Sequence, residues 1–221
     1  MDSPQHLTTT RDVYNHSADQ YAARIGTTIS PDIEAPIDRA ALAAFVEIVS
    51  TDPGPVADIG CGPGRVAAYL LAAGVETVGT DMSESMLDVA RRAHPTIRFE
   101  VGALDALPFE TATLRGAVYW YSIIHTPPTE LAITFAELSR VLQPGGDVLI
   151  AFQTGDDETL TKPDAYGSGT TLTNYRHSVN SVVELLLRAE MVVSTTVVRH
   201  SALDHESAPQ AFLFARSSRR H

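Results

Sequence analysis

The stretch Pro55-Val56-Ala57-Asp58-Ile59-Gly60-Cys61-Gly62-Pro63-Gly64-Arg65 constrains the fold more than any other part of the chain. A short apolar run stops at three glycines spaced two apart, so neither one helix nor one strand can continue through it. It reads as a buried strand, a tight turn and a helix opening near Pro63. Twenty-one residues beyond Gly60, Asp81 ends a second apolar run, Val75 to Thr80. The glycines remove Cβ atoms where a ligand would touch backbone, and the helix start offers free N–H groups. An acid ending the second strand is well placed to accept hydrogen bonds from a ribose diol.

The chain of 221 residues is long enough to bury a two-sided core, and one domain is expected. Its hydrophobic content of 44% suits a soluble globular protein. No apolar run reaches membrane-spanning length, so no membrane partner is expected. The opening Met1-Asp2-Ser3-Pro4 has no basic region followed by an apolar one, so no secretory leader is expected. Cys61 is the sole cysteine and has no partner for an internal disulfide, which suits a reducing, cytoplasmic setting. The net charge of -11, from 16 basic and 27 acidic residues, argues against nucleic acid as a partner. The basic end, Arg216 to His221, reads as a frayed terminus. Lys162 is the only lysine beside 15 arginines, as coding bias from a GC-rich genome produces.

Residues 1–10 are polar and expected to be disordered. Tyr14, Ala18, Tyr21 and Ile25 share a helical face over about 12–25, and Ile37, Ala41, Ala44, Phe45 and Ile48 share another over 35–49. Strands are predicted at 56–59, 75–80, 97–101, 114–121 and 147–152, and helices at 63–73 and 84–93. A further helix should open at Pro127-Pro128, and Gln143-Pro144-Gly145-Gly146 should form a tight turn. Such alternation predicts an α/β fold: three layers, a doubly wound, mostly parallel sheet with helices on both faces. Residues 153–177 then break the rhythm with a polar, glycine- and threonine-rich segment that reads as a long loop or lid. A helix over 179–189 and strands at 191–198 and 211–215, paired antiparallel at one edge, close the chain.

Taken together, these blocks resemble the class I S-adenosylmethionine-dependent methyltransferases. Residues 56–64 resemble the family's first motif, Gly79-Thr80-Asp81-Met82-Ser83-Glu84-Ser85-Met86-Leu87 its second, and Gly102-Ala103-Leu104-Asp105-Ala106-Leu107-Pro108-Phe109 its third. Arg140-Val141-Leu142-Gln143-Pro144-Gly145-Gly146 resembles the turn before strand five. Four blocks in order are far more specific than one glycine motif, and the resemblance covers about residues 11–216. The subgroup it resembles is that of small-molecule methyltransferases found in actinobacterial genomes.

The resemblance implies a Rossmann-like fold with a seven-stranded sheet, an antiparallel edge strand and an N-terminal helical cap. It implies one methyltransferase domain: a cap over 11–50, a cofactor-binding core over 51–152, a substrate loop over 153–177, and a last helix with edge strands over 178–217. The cofactor implied is S-adenosyl-L-methionine, with S-adenosyl-L-homocysteine as product. Asp58 would orient the methionine ammonium, and Gly60, Cys61 and Gly62 would pass the methionine portion by backbone. Asp81 would bind the ribose hydroxyls and Met82 would pack on adenine. Leu104 would supply a backbone N–H and an apolar face, and Tyr14 and Tyr21 would cap the cofactor. Many relatives carry an acid where this chain has Ala103, and whether Asp105 takes its place is left open by the sequence. Tyr119 is grouped with these cofactor contacts.

His125, after strand four at the carboxyl edge, is the candidate proton acceptor for a hydroxyl acceptor; hydrogen bonding to a backbone carbonyl is the other reading. Trp120 and Tyr121 line a pocket or pack in the core. Gln153, Tyr166, Tyr175, Arg176 and His177 are candidate substrate contacts. No metal site is expected: Asp156-Asp157-Glu158 reads as a solvated face, and Cys61 lacks a recognisable partner for nucleophilic chemistry. The expected activity is in-line displacement of a methyl group onto a small-molecule acceptor. A catalytically silent cofactor-binding protein is the alternative. A nicotinamide-dependent oxidoreductase is disfavoured, because its fingerprint wants a glycine where Arg65 stands. Monomer and homodimer both remain open.

Overall fold

The alternating strands and helices assemble one sheet whose carboxyl edge holds every glycine-loop residue. In a computed structural model, which describes residues 5–219, the elements run α1 (Gln5–Ile25), α2 (Pro36–Val49), β1 (Val56–Ile59), α3 (Arg65–Ala72), β2 (Thr77–Asp81), α4 (Glu84–Ala93), β3 (Arg98–Val101), β4 (Leu114–Trp120), α5 (Leu131–Val141) and β5 (Leu142–Gln153). They continue through β6 (Glu158–Lys162), β7 (Leu172–Arg176), α6 (Val179–Arg188), β8 (Met191–Arg199) and β9 (Gln210–Ser217). The seven-stranded sheet has the order β3-β2-β1-β4-β5-β9-β8. β1 to β5 pair in parallel, whereas β9 runs antiparallel to both β5 and β8. The order reverses beside β1 and β4, and ligands of open α/β sheets bind at such a point.

Helices cover both faces. Phe135, Leu138, Val182 and Leu186 of α5 and α6 pack on Tyr119, Ile150 and Phe152. On the other face Phe45, Val66 and Leu70 of α2 and α3 meet Val118, Leu149 and Phe212. Alternation along β4 thus sends Tyr119 to one core and Trp120 to the other.

Several sequence expectations change. The first helix begins at Gln5, not near Asp12, because Leu7 and Thr10 continue its inward face; residues 1–4 lie outside the described residues. Pro127 and Pro128 precede α5, which starts at Leu131 after a turn closed by the Glu130 N–H on the Pro127 carbonyl. The segment 153–177 is largely an ordered antiparallel hairpin, β6 with β7. Arg176 holds it, donating to Glu158 at 3.1 Å and to the Ser207 hydroxyl at 2.9 Å. Asp157 belongs to the scaffold too, accepting from the Ser178 N–H and the Ser181 hydroxyl at the start of α6. Nor is Arg216 frayed: β9 includes it, and its guanidinium donates to Asp147 at 2.7 and 3.0 Å; residues 220–221 lie outside the described residues. Among the described residues no helix is long and apolar enough to cross a membrane.

Candidate active site

The site begins where β1 runs out. Gly60 and Cys61 donate their N–H groups to the Thr80 carbonyl, at 2.8 and 2.9 Å, which ties the turn to the end of β2. The Gly62 N–H instead donates to Asp81 Oδ2 at 2.9 Å, and the Ser83 N–H donates to Asp81 Oδ1 at 2.9 Å. Asp81 is therefore fixed by backbone on both oxygens. Burial raises its pKa, and those bonds oppose the rise. Gly60 has φ +71°, and a Cβ there would lie 2.3 Å from the Cβ of Ser122, so only glycine lets this turn pass the end of β4.

Asp58 lies behind the loop rather than on its open side. Its Oδ2 accepts the Ala67 N–H at 2.9 Å, and burial pushes its pKa up to about 7. The Cys61 side chain faces a core of Ala67, Leu87, Ala90 and Phe99, and burial pushes its thiol pKa well up, so it is no nucleophile.

In front of the loop is a cavity of about 880 Å³, including its open side. Its base comes from the strand ends: Ile59, Gly60, Gly62, Asp81, Met82, Gly102 and Leu104. Trp120, Tyr121, Ser122 and His125 form one side. α1 covers it with Leu7, Thr10, Tyr14 and Tyr21, all on one helical face, and the hairpin adds Tyr166. Tyr14, Tyr21 and Tyr166 touch one another, with ring centres 5.3–5.9 Å apart. The Lys162 ammonium sits 3.9 Å from the Tyr166 ring centre, a cation–π contact on the hairpin itself.

His125 joins these parts. Its Nδ1 donates to the Thr173 carbonyl in β7 at 3.0 Å; a carbonyl only accepts, so Nδ1 carries the proton. Nε2 therefore accepts the Tyr14 hydroxyl at 2.8 Å. Burial lowers the His125 pKa to about 4, and the Thr173 bond opposes that only in part. The ring is neutral near pH 7 and titrates well below the ordinary histidine range. Its folded pKa lies below its free value of 6.5, so between the two the unfolded chain binds a proton that the native state refuses. This contribution to stability is complete above about 6.5 and falls with pH toward about 4, at up to about 1.4 kcal/mol per unit. His125→Gln should accordingly show a shallower acid loss in urea unfolding across that window. An unchanged slope would assign the acid loss to other groups.

Other expectations are corrected. Tyr119 is fully buried against α5 and α6 and does not reach the cavity, because strand alternation turns it to the opposite core. Gln153 pairs with Gln210 inside the sheet and is not among the lining residues. His177 is fully buried under the hairpin, with Nε2 donating to the Ile123 carbonyl at 3.1 Å, and Tyr175 stacks against it. Neither lines the cavity, and of the candidates in 153–177 only Tyr166 does. Ala103 also stays off the wall, closing a small turn through its carbonyl to the Ala106 N–H. Asp105 is off the cavity wall, in an adjoining recess with His6 and Glu130, so it does not replace the missing acid. Leu7, Thr10 and Ser122 were not picked out from sequence. Leu7 and Thr10 were detectable as helical steps back from Tyr14, whereas Ser122 is near only because β4 lies beside β1.

A seven-stranded sheet of this order, with a glycine turn after β1 and an acid ending β2, defines the class I S-adenosylmethionine-dependent methyltransferase fold. Residues 56–146 match the family model described as a methyltransferase domain. Over 101 residues the chain is 34% identical to malonyl-[acyl-carrier protein] O-methyltransferase of Erwinia billingiae, covering 46% of this chain and 39% of that protein. Over 122 residues it is 30% identical to trans-aconitate 2-methyltransferase of Rhizobium meliloti, covering 54% and 46% respectively. The chain thus spans less than half the length of either relative. Among solved structures, magnesium protoporphyrin IX methyltransferase of Synechocystis with bound S-adenosylhomocysteine is similar in fold, with a TM-score of 0.72 at 19% identity. That likeness covers 97% of this chain and all of the other.

Proposed function

We propose that this protein transfers a methyl group from S-adenosylmethionine to a small-molecule acceptor, working as one unit in which α1 and the hairpin cover a cofactor-binding core. The observation that carries the reading is Asp81: a carboxylate on the cavity wall, held by the Gly62 and Ser83 N–H groups at the end of β2. The residues present suit the cofactor. A Cβ built at Gly62 on the cavity wall would meet only open space, Met82 and Leu104 offer apolar faces for adenine, and Asp81 is positioned for a diol. When bound, S-adenosylmethionine supplies a methyl group on an already activated sulfonium.

The protein's own share is alignment and exclusion of water. Positioning alone contributes about 7–11 kcal/mol to such a displacement. α1 and the hairpin shut the cavity through the Tyr14, Tyr21 and Tyr166 contacts. His125 remains the proton acceptor, reached through Tyr14: the Tyr14 oxygen takes the acceptor's proton as its own hydroxyl proton passes to Nε2. With a pKa near 4 this is a weak base, so it suits an acceptor that gives up its proton about as readily as a carboxylic acid does. The malonyl and aconitate relatives, named for small acidic acceptors or carriers of them, favour a small acceptor without specifying this one.

Calorimetric titration of the purified protein with S-adenosylmethionine, S-adenosylhomocysteine and NADH tests the class. Binding of the first two in the micromolar range and none of the third is expected. Binding of NADH alone would refute methyl transfer.

A further inference from the structure

We propose that Asn15 is a positioning residue that couples closure of α1 to the cofactor contact at Asp81; this rests on the cofactor reading above. Asn15 follows Tyr14 on α1, and its Oδ1 accepts the Ser83 hydroxyl at 2.8 Å and the Ser85 N–H at 3.3 Å. A backbone N–H only donates, so the amide oxygen must face α4. Ser83 is fully buried. Its hydroxyl oxygen also accepts the Met86 N–H at 3.2 Å, and its own N–H donates to Asp81. The bonds therefore run in series from Asn15 through Ser83 to Asp81, and from Asp81 to Gly62 of the glycine turn.

The first turn of a helix leaves backbone N–H groups without partners. Here Ser83 caps α4 from within its own chain segment, and Asn15 supplies a second acceptor from a different helix. When α1 lifts, the Ser83 hydroxyl loses its acceptor, the Ser85 N–H returns to water, and the turn presenting Asp81 loosens. Tyr14, one residue earlier, faces the other way and reaches Thr173 through His125. One turn of α1 is thus bonded to the cofactor acid on one side and to the hairpin on the other. A ligand that orders Asp81 tightens α1, and through it the hairpin that meets the acceptor.

Ordinary packing between α1 and α4 is a different matter. The Asp19–Arg92 pair links the same two helices at 2.8 Å, but with side chains 87% and 64% exposed. Such a pair contributes little, and it serves as the control.

The test is stopped-flow dissociation of S-adenosylhomocysteine, joined to hydrogen exchange of the α1 amides with and without that ligand. Asn15→Ala should release S-adenosylhomocysteine about tenfold faster with little change in the association rate. It should also remove the ligand's protection of α1 and of the Ser85 amide while the rest of α4 stays protected. Asn15→Asp keeps an acceptor oxygen and should restore most of the slow release, and Asp19→Ala should match wild type. In a Ser83→Ala background, Asn15→Ala should add nothing further. Wild-type release and intact α1 protection in Asn15→Ala would overturn the proposal, as would equal losses in Asp19→Ala. If wild type itself does not bind S-adenosylhomocysteine, the cofactor reading fails first and the proposal falls with it.

Discussion

Asp81→Ala should raise the dissociation constant for S-adenosylhomocysteine by about 10- to 150-fold, the equivalent of about 1.5–3 kcal/mol for lost charge-assisted bonds. The carboxylate is committed before any ligand arrives. Gly62 and Ser83 donate to its two oxygens, so it can turn neither away from the cavity nor further into it. Asp81→Asn should be nearly as damaging. An amide has one oxygen, so either the Gly62 or the Ser83 N–H would meet an NH2 group, donor against donor. Unfolding free energy should change far less than affinity, because the ion has no cationic partner among its bonds and burial already disfavours it. Calorimetry and urea unfolding on the same preparations separate the two effects. Wild-type affinity in Asp81→Ala would remove Asp81 from the site.

Gly60→Ala should destabilise the fold by about 2–6 kcal/mol. Two costs combine there. Left-handed backbone at φ +71° penalises any residue with a Cβ, by about 1–3 kcal/mol. The new Cβ would also lie 2.3 Å from the Ser122 Cβ, well inside contact distance, and overpacking of this kind costs about 1–3 kcal/mol. Ser122→Gly distinguishes the costs: combined with Gly60→Ala it should recover the packing part and leave the backbone part. A loss under about 0.5 kcal/mol in Gly60→Ala would mean that the turn tolerates a side chain and that β4 is not pressed against it.

The parts of this fold that are readable in the sequence are those whose signals are local. β1, the glycine turn and Asp81 declare themselves within 26 residues, 56–81, because turn glycines and an acid at a strand end need no distant partner to be recognised. The direction in which a buried strand points its side chains is another matter. β4 is apolar on both faces, as parallel strands are, so nothing in Leu114–Trp120 tells that Tyr119 and Trp120 face different cores. The hairpin was illegible for a related reason. Its residues are polar and threonine-rich, and its order comes from long-range contacts. Arg176 reaches Ser207, and Leu172 and Ala165 bury against Val13 of α1. A structureless stretch of that length inside an α/β chain is itself a warning that elements are hidden in it. His177 misled similarly: polar in sequence, it is a fully buried donor to Ile123.

The cavity takes its two sides from separate stretches of chain. The strand ends that carry Gly60, Gly62, Asp81, Met82 and Leu104 lie within the segment 56–146, whereas Tyr14, Tyr21 and Tyr166 lie outside it. The match to the Erwinia protein is of similar length, 101 residues. On the proposed reading, mutations in the hairpin would act on acceptor choice, whereas mutations in α1 would also reach the donor side through Asn15 and Ser83. On the same reading, that separation would let one cofactor platform serve different acceptors through changes in the hairpin alone.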